Sequence, residues 1–348
     1  MALKFPRILL GGRTDIGIVR EENQDALLMH RPTDPAVLQR KGTLVLLADG
    51  MGGLEGGRTA SRLAVEAFRK SYYESPAEPR PALEEAVREA NLAIYRHARE
   101  FEGGRQMGST LTALALVGRK ALIAQVGDSR AYRFREGSLE LLTRDHSLAR
   151  ELADRGEVGH PTSFYRNILT RGLGLKDEVT PDVYEVDGLR AGETFVLTSD
   201  GLHGLVEEDE IVSCLERFGS NLEGACDELV GLAKSRGGPD NITIALAHVQ
   251  ELPSDPGSAD PYSAAGLLAR VFDRRGRAVA FLAIGSFAAG VLLTLCVQES
   301  TGPRPPRLDR AAEEVDNALR ADAEAKAPEA RARELREALE RVRRALRR

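Results

Sequence analysis

Between residues 14 and 249 short apolar runs alternate with amphipathic stretches, and Gly or Asp punctuates most junctions. Runs at 43–48 (TLVLLA), 110–117 (TLTALALV), 121–126 (ALIAQV), 194–198 (TFVLT) and 242–249 (ITIALAHV) predict strands. Residues 118–120 form a hairpin turn between two of them, which favours antiparallel pairing. Helical periodicity marks 57–71, 81–101, 148–155, 208–217 and 222–236. In the second of these Leu83, Val87 and Ile94 recur on one face, and Pro81 takes a tolerated first-turn position. Strands in tandem pairs with helices inserted between them predict a layered α+β fold rather than a doubly wound parallel sheet.

After Val249 the pattern changes. Residues 251–262 (ELPSDPGSADPY) have the composition of a linker, and Ala278 to Val297 then form twenty residues without a charge. Such a run spans roughly 30 Å of hydrocarbon as a helix, so a single membrane crossing is expected. Arg270, Arg274, Arg275 and Arg277 precede it and place the large domain on the cytoplasmic side, although Arg304, Arg307 and Arg310 follow it closely. The tail carries one apolar stripe, Leu335, Leu339, Val342 and Leu346, fit either for coiled-coil pairing or for lying near lipid headgroups. Small pairs such as Gly285 with Ala289 permit self-association of the membrane helix, as the stripe does of the tail. The expected organisation is an N-terminal extension (1–12), a catalytic-size domain (13–250), a linker and basic segment (251–277), a membrane helix (278–297) and a charged helical tail (298–348).

A net charge of -5 leaves no basic surplus for a nucleic-acid partner. Cys214, Cys226 and Cys296 are odd in number and lack CxxC spacing, so neither a disulfide framework nor a thiolate zinc site is indicated. Neither Cys214 nor Cys226 is followed by an arginine in a phosphate-cradling loop, which excludes cysteine-dependent phosphatase chemistry.

The candidate chemistry lies in four aspartates. Asp49, Asp128 and Asp200 each fall where an apolar strand ends, and Asp240 comes just before the strand at 242–249. An antiparallel neighbour brings Asp240 to the same rim. Each fragment alone reads as ordinary turn chemistry. Together they propose a cluster of like charges that repel unless cations neutralise them. All the donors are hard oxygens, which favours Mg²⁺ or Mn²⁺ over Zn²⁺. Gly50 and Gly53 let the backbone approach closely, so a main-chain carbonyl can add one more ligand. Two ions sharing a carboxylate would hold a water ready for in-line attack on phosphorus, and Arg20 offers a bidentate fork for an anion.

These residues fall in ordered blocks: TDIGIVREENQD, ADGMGG, GSTLTALAL, VGDSRAYR, TRDHSLARELADRGE, RNILTRGLG, TSDGLHGL and GGPDNITIAL. The set, from about Arg13 to Val249, resembles the metal-dependent protein phosphatases (PPM, type 2C) in their compact bacterial form. The resemblance implies a four-layer α/β/β/α sandwich with two central antiparallel sheets and a two-metal site at one end. It implies hydrolysis of phosphoserine and phosphothreonine in proteins by a metal-activated water, opposing a serine/threonine kinase at the membrane. In its terms Asp49 bridges both ions, Gly50 lends its carbonyl, and Asp200 and Asp240 complete the first ion's ligands. Asp128 is the ligand of a third, weaker ion, Arg20 binds phosphate, and Asp25 orients metal-bound water. The stretch 143–174 corresponds to a mobile flap beside the site. Gln24 replaces a glutamate of many relatives, which lowers the expected affinity for the second ion. Met51 replaces a histidine proposed as general acid in eukaryotic members, and His146 and His203 receive no role. A rival reading, a catalytically weak phosphoprotein-binding scaffold, has Gln24 as its only sequence support.

Overall fold

The structure is a computed structural model that describes residues 5–52, 56–100, 107–156 and 168–253. The membrane run at 278–297, the tail, nearly all of the linker, Gly53 and the middle of the flap lie outside the described residues. Among the described residues no helix is long and apolar enough to cross a membrane.

The chain runs β1 (Arg7–Asp15), β2 (Asp25–His30), α1 (Pro35–Lys41), β3 (Thr43–Gly52), α2 (Gly56–Glu74), α3 (Pro79–Glu100), β4 (Met107–Ser109), β5 (Leu111–Val117) and β6 (Lys120–Val126). It continues through β7 (Arg130–Arg135), β8 (Ser138–Leu141), α4 (Leu148–Asp154), β9 (Asp182–Asp187), β10 (Thr194–Thr198), α5 (Asp200–His203), α6 (Glu208–Phe218), α7 (Leu222–Ser235) and β11 (Ile242–Glu251). One sheet has the order β1-β11-β10-β7-β8, the other β2-β3-β5-β6-β9 with β4 joined to β3. Every strand pair is antiparallel, as the hairpin at Gly118 and Arg119 implied.

Strict alternation along the central strands accounts for the layering. In β3, Leu44, Leu46 and Ala48 pack beneath α2 and α3, while Val45 and Leu47 face the other sheet. In β11, Ile242, Ile244 and Leu246 meet α6 and α7, while Ala245, Ala247 and Val249 face inward. Strands buried on both faces read as continuous apolar runs, and the period of two sorts their side chains between different cores. The result is helix, sheet, sheet, helix. Burial also draws in polar groups that find partners: the Tyr72 hydroxyl donates to the Lys41 carbonyl at 2.7 Å, and Lys41 Nζ donates to the Ala77 carbonyl at 2.7 Å.

Several sequence expectations need correcting. β1 begins at Arg7 and pairs along β11, so residues 7–12, set apart as an extension, are part of a sheet. Gly11, Gly12 and Arg13 hid this strand; Gly11 lies where a Cβ would collide with α7 at Leu222. β3 runs on to Gly52, so Asp49 sits within the strand rather than closing it. The strand expected at 110–117 starts at Leu111 as β5, and a separate short strand, β4 at Met107–Ser109, pairs with the last part of β3 just before it.

The β1–β2 connection is fixed by Gly17, whose φ is +79° and which has no room for a side chain, since a Cβ would strike the Asp240 carbonyl. Gly17→Ala therefore combines a left-handed backbone with a backbone collision and is expected to destabilise the fold by about 2 kcal/mol or more. Denaturant titration of the wild type and the variant measures this; equal midpoints would remove Gly17 from the account.

Candidate metal centre

Antiparallel pairing carries the acidic residues to one end of the sandwich. Asp49 in β3 lies directly opposite Asp25 at the start of β2, a like-charged cross-strand pair that opposes sheet formation. Asp200 opens α5 just after β10, Asp240 precedes β11, and Asp128 lies between β6 and β7. Both sheets thus contribute. Each of these carboxylates keeps only partial access to solvent.

The electrostatics register the crowding. Burial first, then the charges of Asp25, Asp200, Asp128 and Asp240, hold the Asp49 carboxyl well above the usual carboxylate range. Asp25 is pushed up to about 7 by burial, with Asp200 and Asp240 adding to it against hydrogen bonds from Thr243 and Ser199. Asp128 is pushed up to about 7 by burial and by the Asp200 and Asp145 charges. Asp200 is raised by burial and Asp240, and relieved in part by a hydrogen bond with Asp49. Protons thus take the place that cations can take.

A hydrogen-bonded frame keeps the carboxylates from moving apart. Asp49 N–H donates to Thr110 Oγ1 at 2.9 Å, and its carbonyl accepts from Thr110 N–H at 2.8 Å. Thr243 Oγ1 on β11 donates to Asp25 Oδ2 on β2 at 2.6 Å, linking the two sheets at the site. Asn241 accepts from Gln24 N–H at 2.8 Å and donates to the carbonyls of Ile16 and Glu22, each at 3.0 Å. Gly50 N–H donates to the Gln24 carbonyl at 3.1 Å, and a Cβ on Gly50 would strike the Gly57 carbonyl. Arg20 Nη2 donates to Asp240 Oδ2 at 2.7 Å, so the arginine stands at the aspartates rather than on an unrelated surface.

The donor set suits a hard divalent cation. Every candidate ligand is oxygen, and Asp25 Oδ1 and Asp200 Oδ1 are buried without a hydrogen-bond partner. Among the described residues no three His, Cys, Asp or Glu side chains yet close around a single point as ligands of one ion do. Asp200 is hydrogen-bonded with Asp49, and Asp240 is engaged by Arg20.

The structure also settles residues that the sequence left without a part. His146 is buried; its Nδ1 accepts from Gly127 N–H at 3.1 Å, so Nε2 carries the hydrogen and meets Asp182 Oδ2 at 3.1 Å. Asp182 Oδ1 also receives Arg171 Nη1 at 2.7 Å, and Thr170 N–H donates to the His146 carbonyl at 2.9 Å. His146 thereby ties the residue before Asp128 to the returning limb of the flap. His203 turns inward to Thr198 Oγ1 at 2.9 Å, and burial lowers its pKa. The sequence reading missed Asn241, Thr243 and Asp182. The first two stood in the same Pro-Asp-Asn-Ile-Thr block as Asp240, whereas nothing local marked Asp182.

Gln24 Nε2 lies 3.4 Å from Glu22 Oε2, and Glu22 is ion-paired with Arg58 of α2. Met51 lies against the flap near Gly172 and Gly108.

Known proteins resemble this chain in sequence and fold. The model of the protein phosphatase 2C family matches residues 19–230. A putative protein phosphatase 2C-type of Streptococcus pyogenes serotype M6 is 38% identical over 249 residues, which cover 68% of this chain and 95% of that protein. The crystal structure of the Mycobacterium tuberculosis serine/threonine phosphatase PstP/Ppp is 30% identical with a TM-score of 0.61, over 70% of this chain and 99% of that one. The catalytic domain of the serine threonine protein phosphatase PstP in complex with two manganese ions is 31% identical with a TM-score of 0.60, over 70% and 99%. With the family model spanning well over half the chain and the two antiparallel sheets meeting at an aspartate-lined end, the chain belongs to the protein phosphatase 2C family.

Proposed function

We propose that this chain removes phosphate from phosphoserine and phosphothreonine in proteins, using two Mn²⁺ or Mg²⁺ ions and a third, weaker one. The observation that carries the reading is the convergence of Asp25, Asp49, Asp128, Asp200 and Asp240 from both sheets, where burial first and then the surrounding charges raise the Asp49 carboxyl well above the usual range. The manganese complex of PstP and the serine/threonine phosphatase names of the relatives support it.

Asp49, Gly50 through its carbonyl, Asp200 and Asp240 would hold the first two ions, and Asp128 the third. When bound, such ions supply a water acid enough to attack phosphorus and offset charge on the phosphoryl oxygens. Arg20, kept cationic by Asp240, grips the phosphoryl oxygens with its forked donors. Asp25 is held by Thr243 through Oδ2 and leaves Oδ1 unpartnered, so it can orient a water and accept its proton near neutral pH. Met51 has no proton to give a leaving group, which must take one from elsewhere.

We further propose that the phosphatase domain, extended back to Arg7 by β1 and on to Glu251 by β11, is cytoplasmic and tethered by the helix at 278–297 through the linker and basic segment that end at 277. Its natural substrates would include serine/threonine kinases and their targets, and the tail 298–348 or the membrane helix would allow self-association. The uncharged run and its flanking arginines support the tether.

Asp200→Asn is expected to lower phosphothreonine-peptide hydrolysis in Mn²⁺ at least about 100-fold, the equivalent of roughly 2.7 kcal/mol, and excess chelator to abolish it. Undiminished turnover in either case would contradict the reading.

A second expectation concerns pH. Asp25, Asp49 and Asp128 titrate higher in the fold than in the unfolded chain, so from the ordinary carboxylate range up to about pH 7 the native state binds more protons and stability falls as pH rises. Lowered His146 and His203 add an opposite slope below the ordinary histidine range, which metal at the aspartates does not remove, so the fall is clearest as pH approaches 7. In chelator the melting temperature should fall there, and saturating Mn²⁺ should flatten the fall. Identical slopes with and without metal would disconnect the aspartates from cation binding.

The tether predicts that the full chain stays with membranes through an alkaline carbonate wash while a chain ending at Pro253 is recovered soluble. A soluble full chain would remove it.

A further inference from the structure

The loop between β1 and β2, residues 16–24, is held at several points. Gly17 N–H donates to Asp15 Oδ1 at 2.8 Å, Ile18 N–H to the Gly238 carbonyl at 2.8 Å, and Asn241 binds Ile16, Glu22 and Gln24. Lys234 Nζ holds Asp15 Oδ2 from α7 at 2.9 Å. A loop anchored in this way does not choose its side-chain directions freely. It nevertheless turns Ile18 and Val19 outward, 61% and 66% exposed, with Ile16 at 38%.

Among the described residues these are three of six exposed large apolar side chains, and they occupy four consecutive positions. A single exposed aliphatic residue is ordinary, but a contiguous set on a rigid loop marks a binding surface. What covers it follows from continuity: the next residue is Arg20, whose guanidinium reaches Asp240 at the aspartate cluster.

We propose that Ile18 and Val19 form an apolar subsite that selects phosphoprotein substrates bearing an aliphatic side chain one or two residues from the phosphorylated one. The proposal rests on the phosphatase reading above. A phosphoryl group gripped by Arg20 brings its own polypeptide alongside Val19, because consecutive residues advance only about 3.8 Å. Flanking side chains at one or two positions' distance therefore fall on this loop. Burying an aliphatic group there removes apolar surface of both partners from water. An anionic lipid surface fits less well, since exposed Glu21 and the part-exposed Asp15, Glu22 and Asp240 border the patch.

The test uses the full chain in Mn²⁺ with two phosphothreonine peptides that differ only in Leu or Ser at the positions flanking the phosphothreonine, and with p-nitrophenyl phosphate. The wild type is expected to favour the Leu peptide about tenfold in kcat/KM, and the Ile18→Ser/Val19→Ser variant to bring that ratio near unity. The ratio is internal to each preparation, so a loss of folded protein does not alter it. Equal rates on both peptides by wild-type enzyme that hydrolyses p-nitrophenyl phosphate would overturn the subsite alone. Failure on all three substrates would overturn the phosphatase reading and the subsite with it. A variant that keeps the wild-type preference for the Leu peptide would remove Ile18 and Val19 from the selection and overturn the proposal.

Discussion

Like charges are held together here by a backbone that gives them no route apart. Asp25 and Asp49 face each other across a strand pair whose register is fixed on both sides by apolar alternation, and a one-residue slip would turn Leu44 and Leu46 out of their core. Two unit charges about 4 Å apart at an effective dielectric near 20 repel by roughly 4 kcal/mol. Three apolar cores, two under helices and one between the sheets, supply the stability against which such repulsion is tolerated. The repulsion is relieved locally by protons in the raised aspartates, or by divalent cations, which carry more charge and need no change in the fold.

The rest of the site serves that constraint. Thr243 fastens the two sheets where they would otherwise be pushed apart, and Thr110 takes both backbone groups of Asp49. Asn241 uses its whole amide to draw the Arg20 loop onto the segment that carries Asp240. His146 and Asp182 do the same for the flap, joining it to the residue before Asp128. Arg20, Asp25 and the exposed Ile18 and Val19 consequently belong to one rim, so the proposed recognition of phosphate and of its flanking chain would share a single support.

Much of this was legible in the sequence, and the exceptions have physical reasons. The central strands announced themselves because burial on both faces demands unbroken apolar runs, as in TLVLLA and ITIALAHV. The sheet-edge strands β2 and β9 are only half-buried, β8 is mostly exposed, and all three mix polar with apolar residues, so their runs fell below notice. β1 was concealed by Gly11, which the close approach of α7 requires, and by Gly12, which lies close over Leu27 and Met29 of β2. The carboxylates were found because an aspartate stands out beside an apolar run, although Asp49 lies within β3 rather than at its end. Their organisers were harder to see: Asp182 acts through His146 and Arg171 across long sequence separations, and only the fold reveals that neighbourhood.

The account stands or falls on whether divalent ions sit among these aspartates. Anomalous diffraction from crystals of the protein grown with Mn²⁺ addresses this directly. It should reveal at least two manganese peaks beside Asp49, with Asp200 and Asp240 drawn in as further ligands and Arg20 released from Asp240. Crystals in which manganese is absent from this end of the sandwich, with the Arg20 contact to Asp240 intact, would contradict it.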